Sequence, residues 1–372
     1  MALSAAAVTA DGGVVELQWQ DGTQARFHAV WLRDNALDAA TRDPGNGQRL
    51  IALSDIAAEE RIAHAELVAN GVHLQFSSGH ETAFPGQWLK AHRYDRAAAK
   101  KTWAGDIRLW TRELDIHSAT LPDLQGDSSA LQAWLTAVRR DGVALVDGLA
   151  PHSGSLADIV ALFGYIRETN YGRWFDVRSE VNPTNLAYTN QGLQAHTDNP
   201  YRDPVPGLQV LACLENSVEG GESSVVDGFA AAEHLRQQDP RAFDVLCRYP
   251  AQFEYAGASG VRLQARRPIL ECGPDGRVLT LRFNNRSLGA VTDIPFEDMR
   301  DWYDALRALG EIIDDPDHAV TFRLEPGQAF IVDNTRVLHA RAAYSSGGTR
   351  WIQGCYADRD GLFSTLSALE AQ

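Results

Sequence analysis

The stretch VVELQWQDGTQARFHAVWLR, residues 14–33, returns at a fixed offset of 57 as VHLQFSSGHETAFPGQWLK, residues 72–90. Val15, Leu17, Trp19, Gly22, Phe27, Trp31 and Leu32 recur as Val72, Leu74, Phe76, Gly79, Phe84, Trp88 and Leu89. Each copy alternates apolar and polar residues, turns at a glycine, and alternates again. That pattern is strand, turn, strand. Seven matches at one offset point to an internal repeat rather than to two unrelated hairpins. Residues 1–95 are therefore expected to form a small β-rich domain built from two similar hairpin-like units.

Residues 96–125 lack clear periodicity and read as a connector. The segment 127–142 then predicts a helix, with Asp127 or Ser128 as its cap and Leu131, Trp134, Leu135 and Val138 along one face. A short strand over 142–149 and a second amphipathic helix over 155–167 follow. Beyond them the chain is dominated by strands, at PGLQVLACLEN, GGESSVVDGF, RPILECGPDGRVLTLRF, AVTFRLEPGQAFIVDN and TRWIQGCYADR. Helices are expected at 229–248 and 296–314, and hairpin turns at GPDG (273–276) and EPGQ (325–328). Residues 126–372 thus read as mainly β with flanking helices, a sandwich or jelly roll.

A formal net charge of −15 disfavours nucleic acid and anionic membranes as partners. An anionic ligand must then be held by locally placed positive groups. No apolar run reaches the length of a membrane span, and the N-terminus lacks the basic start and apolar run of a secretory signal. The four cysteines, Cys213, Cys247, Cys272 and Cys355, are scattered without CxxC spacing. They read as reduced thiols of a cytoplasmic protein.

The chemistry centres on AHTDNPYRDP, residues 195–204. His196 and Asp198 flank Thr197, and in extended backbone residues i and i+2 point the same way. His339, in NTRVLHAR after an apolar strand, is the best third ligand. Two imidazoles and a carboxylate on one face of an octahedron leave three positions open, which suits non-haem Fe(II) with a co-substrate and O2. HxD alone is a weak signal and is more often a hydrogen-bonded loop, so the surrounding residues carry the weight. Arg350 opens the strand RWIQGCY, where its guanidinium could clamp a carboxylate with two hydrogen bonds. The hydroxyl of Ser223, on a predicted strand, could share that carboxylate.

HTDNP, the PGLQVLACLENSVEGGESSVVDGF block, VLHAR, Arg350, QGCYADRD and WLRDN together resemble the γ-butyrobetaine hydroxylase family. That family belongs to the taurine-dioxygenase-like Fe(II)/2-oxoglutarate oxygenases, and the likeness covers nearly the whole chain. It implies a double-stranded β-helix (jelly roll) preceded by a small β domain, and a 2-oxoglutarate-dependent dioxygenase activity. It implies that His196, Asp198 and His339 bind iron, and that Arg350, Ser223 and Leu211 bind 2-oxoglutarate. Tyr171, Phe175, Tyr188 and Tyr356 match positions of an aromatic cage, which would hold a quaternary ammonium by cation–π attraction. Phe175 stands where the family often has tryptophan. The family also implies a homodimer acting on a small molecule.

The substrate's anionic end is expected at Asn185, Asn199, Tyr201, Asn285 and Arg286. Arg286 departs from the neutral amides of the carnitine-forming enzymes and adds a full positive charge. It favours a dianion, and hence 2-(trimethylammonio)ethylphosphonate hydroxylated next to phosphorus, with γ-butyrobetaine as the alternative. A betaine-binding protein without catalysis is the alternative of another class, although it would need no HxD and distal histidine. Where family members often carry a zinc-binding cysteine cluster after LRDN, this chain has ALDAATRDPGNG. Structural zinc is expected to be absent.

Overall fold

The computed structural model describes residues 2–95, 107–178, 190–258, 260–345 and 347–371. The chain divides into two compact units, residues 1–105 and 106–372.

The first unit contains β1 (Leu3–Val8), β2 (Val14–Trp19), β3 (Gln24–His28), α1 (Ala29–Asp34), β4 (Ile62–Val68), β5 (Gly71–Phe76), β6 (Glu81–Pro85) and α2 (Gly86–Ala91). β5, β6 and α2 begin and end 57 residues after β2, β3 and α1, so the sequence echo is a structural repeat. Gly22 and Gly79 close the equivalent turns at φ 80° and 84°, a region open to glycine at little cost. Each hairpin gains a third strand beyond the expectation, giving sheets β1-β2-β3 and β4-β5-β6. Trp19, Phe27, Leu32, Phe76, Phe84 and Leu89 are buried in one core shared by both sheets.

The second unit contains β7 (Ser118–Thr120), α3 (Leu121–Gly126), α4 (Ser128–Asp141), β8 (Val143–Asp147), α5 (Leu156–Val160), β9 (Phe175–Val177), β10 (Leu193–His196), β11 (Leu208–Asn216), β12 (Ser223–Asp227), α6 (Gly228–Gln238), α7 (Pro240–Arg248), β13 (Pro250–Ala258), β14 (Val261–Pro268), β15 (Leu270–Cys272), β16 (Val278–Leu281), α8 (Phe296–Asp314), β17 (Ala319–Phe322), β18 (Ala329–Asp333), β19 (Val337–Arg341), β20 (Arg350–Ala357) and α9 (Arg359–Glu370). Two sheets make the jelly roll, one ordered β10-β19-β12-β17 and the other β7-β8-β18-β11-β20-β9. Leu211, Cys213, Val225, Phe330, Val332, Val337 and Ile352, drawn from both sheets, form the core between them. The alternate residues Leu208, Val210 and Ala212 of β11 face the other way, onto Trp134, Leu135, Ile159 and Leu362 of the covering helices. A central strand buried on both faces explains why LQVLACL reads as a nearly continuous apolar run.

Several expectations are corrected. Within the expected connector, residues 107–125 belong to the second unit: Trp110 and Leu114 are buried in its core and β7 pairs with β8. The helix expected over 155–167 stops at Val160, and beyond it Gly164 lies against Gly361 of α9, where a Cβ would sit 3.6 Å from the neighbouring backbone. The helix expected over 229–248 is two helices. Pro240 cannot continue α6, and Asp239 caps α7 by accepting from Ala242 N–H at 3.0 Å. EPGQ turns the chain, but β17 and β18 lie in different sheets, so the turn carries the chain across the sandwich rather than closing a hairpin.

Candidate active site

His196 is the last residue of β10, and His339 lies directly opposite it on β19. Beyond Thr197 the chain leaves the sheet. Asn199 adopts φ 53°, a left-handed conformation that asparagine tolerates better than most residues. The Asp198 backbone is held on both sides by buried Asn334, whose Oδ1 accepts from Asp198 N–H at 2.7 Å and whose Nδ2 donates to Asp198 O at 3.0 Å. Two residues on, buried Arg336 forks onto Asp227 with bonds of 3.0 and 2.7 Å, pinning the approach to β19. The ligand atoms of His196, Asp198 and His339 lie within 4.8 Å of one another, the one such His/Cys/Asp/Glu group among the described residues.

The donor set fits a metal ion. His196 Nδ1 sits 2.7 Å from Gln194 O, which fixes its proton there and leaves Nε2 as a lone-pair donor 3.3 Å from Asp198 Oδ1. Buried His339 has no hydrogen-bond partner for Nδ1 among the described residues. Burial, followed by the charges of His196 and Arg286, pushes the His339 pKa down to about 3, so the ring is neutral at pH 7. Burial favours protonation of Asp198, but the imidazoles of His196 and His339 beside it and the hydrogen bond from the Tyr356 hydroxyl outweigh it and hold the carboxyl well below its usual range.

The triad opens into a cavity of about 410 Å³ lined by Tyr171, Phe175, Asn199, Tyr201, Gln209, Leu211, Ser223, Tyr255, Asn284, Arg286, Arg341, Arg350 and Tyr356, among others. On one side Arg350 is buried, with Nη2 3.4 Å from Gly221 O and Nε without a partner among the described residues. Ser223 faces Arg341 across the β12–β19 pairing. Tyr344 lies beneath both guanidiniums, 5.0 Å from that of Arg341 and 5.3 Å from that of Arg350.

The other side is aromatic. Phe175 lies 6.1 Å from Tyr171 and 5.2 Å from Tyr356, ring centre to ring centre. Phe175 reaches β20 because its strand partner there is Gly354, where a Cβ would come within 2.5 Å of its ring. Tyr255 was missed from the sequence. It stacks on Tyr201 at 5.1 Å and meets Tyr171 edge-on at 5.8 Å. Hydroxyls link Tyr171 to Tyr201 at 2.8 Å and Tyr201 to Asn199 Oδ1 at 2.5 Å, and the buried Asn199 Nδ2 has no partner among the described residues.

Tyr188 and Asn185 lie outside the described residues. Asn285 turns away from the cavity and is exposed, giving Nδ2 to Gln194 at 2.6 Å. Its neighbour Asn284 faces the cavity instead, with Nδ2 on Thr197 O at 3.0 Å and Oδ1 accepting from Arg286 N–H at 3.1 Å. Arg286 is exposed but lines the cavity. Tyr356 lines it too, although its hydroxyl is committed to Asp198 Oδ2 at 2.7 Å. No described helix is long and apolar enough to cross a membrane.

Residues 106–356 match the taurine catabolism dioxygenase TauD, TfdA family, and residues 7–90 match the N-terminal domain of γ-butyrobetaine hydroxylase-like proteins. The chain is 35% identical to a γ-butyrobetaine dioxygenase of Pseudomonas sp. strain AK-1, over 99% of this chain and 96% of that one. It is 28% identical to the human γ-butyrobetaine dioxygenase, over 96% and 94% of the two chains. Identity to the mitochondrial trimethyllysine dioxygenase of Rattus norvegicus is 32%, over 95% and 85%.

Proposed function

The chain belongs to the TauD, TfdA dioxygenase family and carries the γ-butyrobetaine hydroxylase-like N-terminal domain, and from that premise we propose that it hydroxylates a small trimethylammonium zwitterion, with γ-butyrobetaine the favoured substrate. It is a dioxygenase of the Fe(II)/2-oxoglutarate type. The observation that carries the substrate reading is an aromatic wall facing the metal triad across one cavity. The full-length relatives named γ-butyrobetaine dioxygenase favour the carboxylate substrate.

In this reading His196, Asp198 and His339 hold Fe(II). Arg350, with Ser223 and Leu211, receives 2-oxoglutarate, its fork of donors matching a carboxylate. When bound, iron and 2-oxoglutarate with O2 supply the oxidation of an unactivated C–H bond. The protein orients that bond. Tyr171, Phe175, Tyr255 and Tyr356 offer ring faces to the trimethylammonium group, which has no N–H to donate. Burial pushes the Tyr201 hydroxyl up to about 12, so it stays protonated and keeps its hydrogen bond to Asn199 Oδ1. Asn199, Tyr201 and Arg286 face the anionic end. The non-catalytic betaine binder gives way to the enzyme, since the chain belongs to a dioxygenase family. A cytoplasmic homodimer completes the proposal, and light scattering tests its assembly.

One observation favours a second substrate. Arg286 lines the cavity where a neutral amide would meet a monoanion well enough. Its charge suits the dianionic head of 2-(trimethylammonio)ethylphosphonate, whose reacting carbon, like that of γ-butyrobetaine, is second from nitrogen. Turnover of both molecules by the purified enzyme decides between them. A much higher kcat/KM for γ-butyrobetaine is expected, and the reverse would establish the phosphonate. Arg286→Ala should then impair any phosphonate turnover far more than carboxylate turnover. Absence of Fe(II)-dependent succinate formation with either betaine would sink the whole reading.

A further inference from the structure

We propose that Gln209 and Tyr356 are positioning residues for Asp198, together occupying its outer oxygen so that the inner one is left to the metal. The inference rests on the reading of His196, Asp198 and His339 as the iron site.

Gln209 of β11 and Tyr356 of β20 are directly opposite in the antiparallel register. Opposed residues of neighbouring strands share a face, and here that face looks at the metal triad. Gln209 Nε2 and the Tyr356 hydroxyl both donate to Asp198 Oδ2, each at 2.7 Å. An ionised carboxylate only accepts, so the direction of both bonds is fixed. Oδ1 is the oxygen left beside His196 Nε2, at 3.3 Å.

Gln209 stands out in its own strand. It is 1% exposed, and its inward-facing neighbours Leu211 and Cys213 belong to the apolar core. A buried amide is costly unless it is paired. Gln209 Oε1 has no partner among the described residues, so the bond to Asp198 is what accounts for an amide at this position. Tyr356 has two tasks: its ring packs 5.2 Å from Phe175 in the aromatic wall while its hydroxyl holds the carboxylate. With Asn334 fixing the Asp198 backbone, both the main chain and the outer oxygen of this ligand are set before any metal arrives.

The test is anaerobic titration of metal-free enzyme with Co(II) and Fe(II), without substrate or 2-oxoglutarate. Tyr356→Phe keeps the ring and removes the hydroxyl, and Gln209→Met keeps the volume and removes the donor. Each is expected to weaken metal binding about 10- to 100-fold, as loss of a group that orients a ligand does. The visible Co(II) spectrum should change as the freed oxygen joins the coordination. If both variants bind within about twofold of wild type, with an unchanged spectrum, the proposal is wrong. A Tyr356→Phe enzyme that alters only the substrate KM would overturn the role of the hydroxyl. His339→Ala run in parallel separates the premise from the inference. Wild-type metal binding in that variant would show that the triad is not the site. Should Gln209→Met fail to fold, Tyr356→Phe decides alone.

Discussion

His196 and His339 face each other across the antiparallel pair β10–β19, with ring centres 4.4 Å apart. The strand register itself therefore assembles two of the three ligands, and Asp198 joins them two residues beyond the end of β10. A site built into the sheet should couple metal binding to stability. Anything that binds only the folded state stabilises it, by about 2.7 kcal/mol at a hundredfold excess over Kd. Co(II) added to metal-free enzyme is expected to raise the melting temperature by several degrees. His339→Ala should abolish that rise, which differential scanning calorimetry measures directly.

The same burial predicts acid sensitivity without metal. The His339 pKa is about 3 in the fold against 6.5 in the unfolded chain. The unfolded state thus takes up a proton that the folded state refuses. Stability from this group is complete above pH 6.5 and is lost progressively as pH falls toward 3, by about 2 kcal/mol between pH 6.5 and 5. The lowered Asp198 carboxyl acts in the same direction, but only below its unfolded value of 3.8. Urea melts of metal-free enzyme at pH 7 and pH 5 should show the loss. In His339→Gln, which carries no titrating ring, the difference between the two pH values should shrink by that amount.

Arg350 is too buried to be a surface cation; desolvation lowers its pKa, and a guanidinium remains protonated in a protein. A buried guanidinium whose Nε has no partner among the described residues is held ready for an anion. Removing a charge-assisted pair of hydrogen bonds costs about 1.5–3 kcal/mol, so Arg350→Ala should raise the KM for 2-oxoglutarate roughly 10- to 100-fold. Arg350→Lys should recover little, because an ammonium lacks the planar fork. The KM for the betaine should move far less. Equal rises in both constants in steady-state assays would remove Arg350 from the co-substrate side.

Tyr255 offers a separate measure of the aromatic wall. It reaches the cavity from the β13–β14 hairpin, stacked on Tyr201. A cation–π contact is worth about 0.5–2 kcal/mol, so Tyr255→Leu should raise the substrate KM roughly 2- to 30-fold. Binding of a neutral analogue, with a tert-butyl group replacing trimethylammonium, should be nearly unaffected. Parallel losses for charged and neutral ligands would mean that Tyr255 supplies only packing.

What was legible in the sequence follows from the physics of each signal. The 57-residue echo, the helix over 296–314 and the HxD pair with its distal histidine are carried by periodicity or local spacing, and all reappear. Tyr255 carries no such signal, because its place depends on where a whole hairpin folds relative to the jelly roll. Asn284 and Asn285 are adjacent, and only the turn around them decides which one faces the cavity. Gln209 was hidden for a related reason. A polar residue inside LQVLACL looks like noise until the register places Tyr356 and Asp198 beside it.

The N-terminal unit supplies the last prediction. In the loop after α1, Asp38 Oδ2 meets His80 Nε2 at 2.9 Å. Asp38 Oδ1 accepts from Thr41 N–H at 3.1 Å and from its hydroxyl at 3.2 Å. Burial favours protonation of Asp38, but the hydrogen bonds from His80, Thr82 and Thr41 together outweigh it and lower the pKa. A side-chain cluster thus ties the loop to the second hairpin, and its contribution is present above the ordinary carboxylate pKa and lost in acid. His80→Ala should cost about 1–2 kcal/mol in urea melts at pH 7. Chelator treatment of the wild type should leave this unit's stability unchanged. One zinc per chain by elemental analysis, with destabilisation on its removal, would show that a metal rather than the Asp38–His80 pair holds the loop.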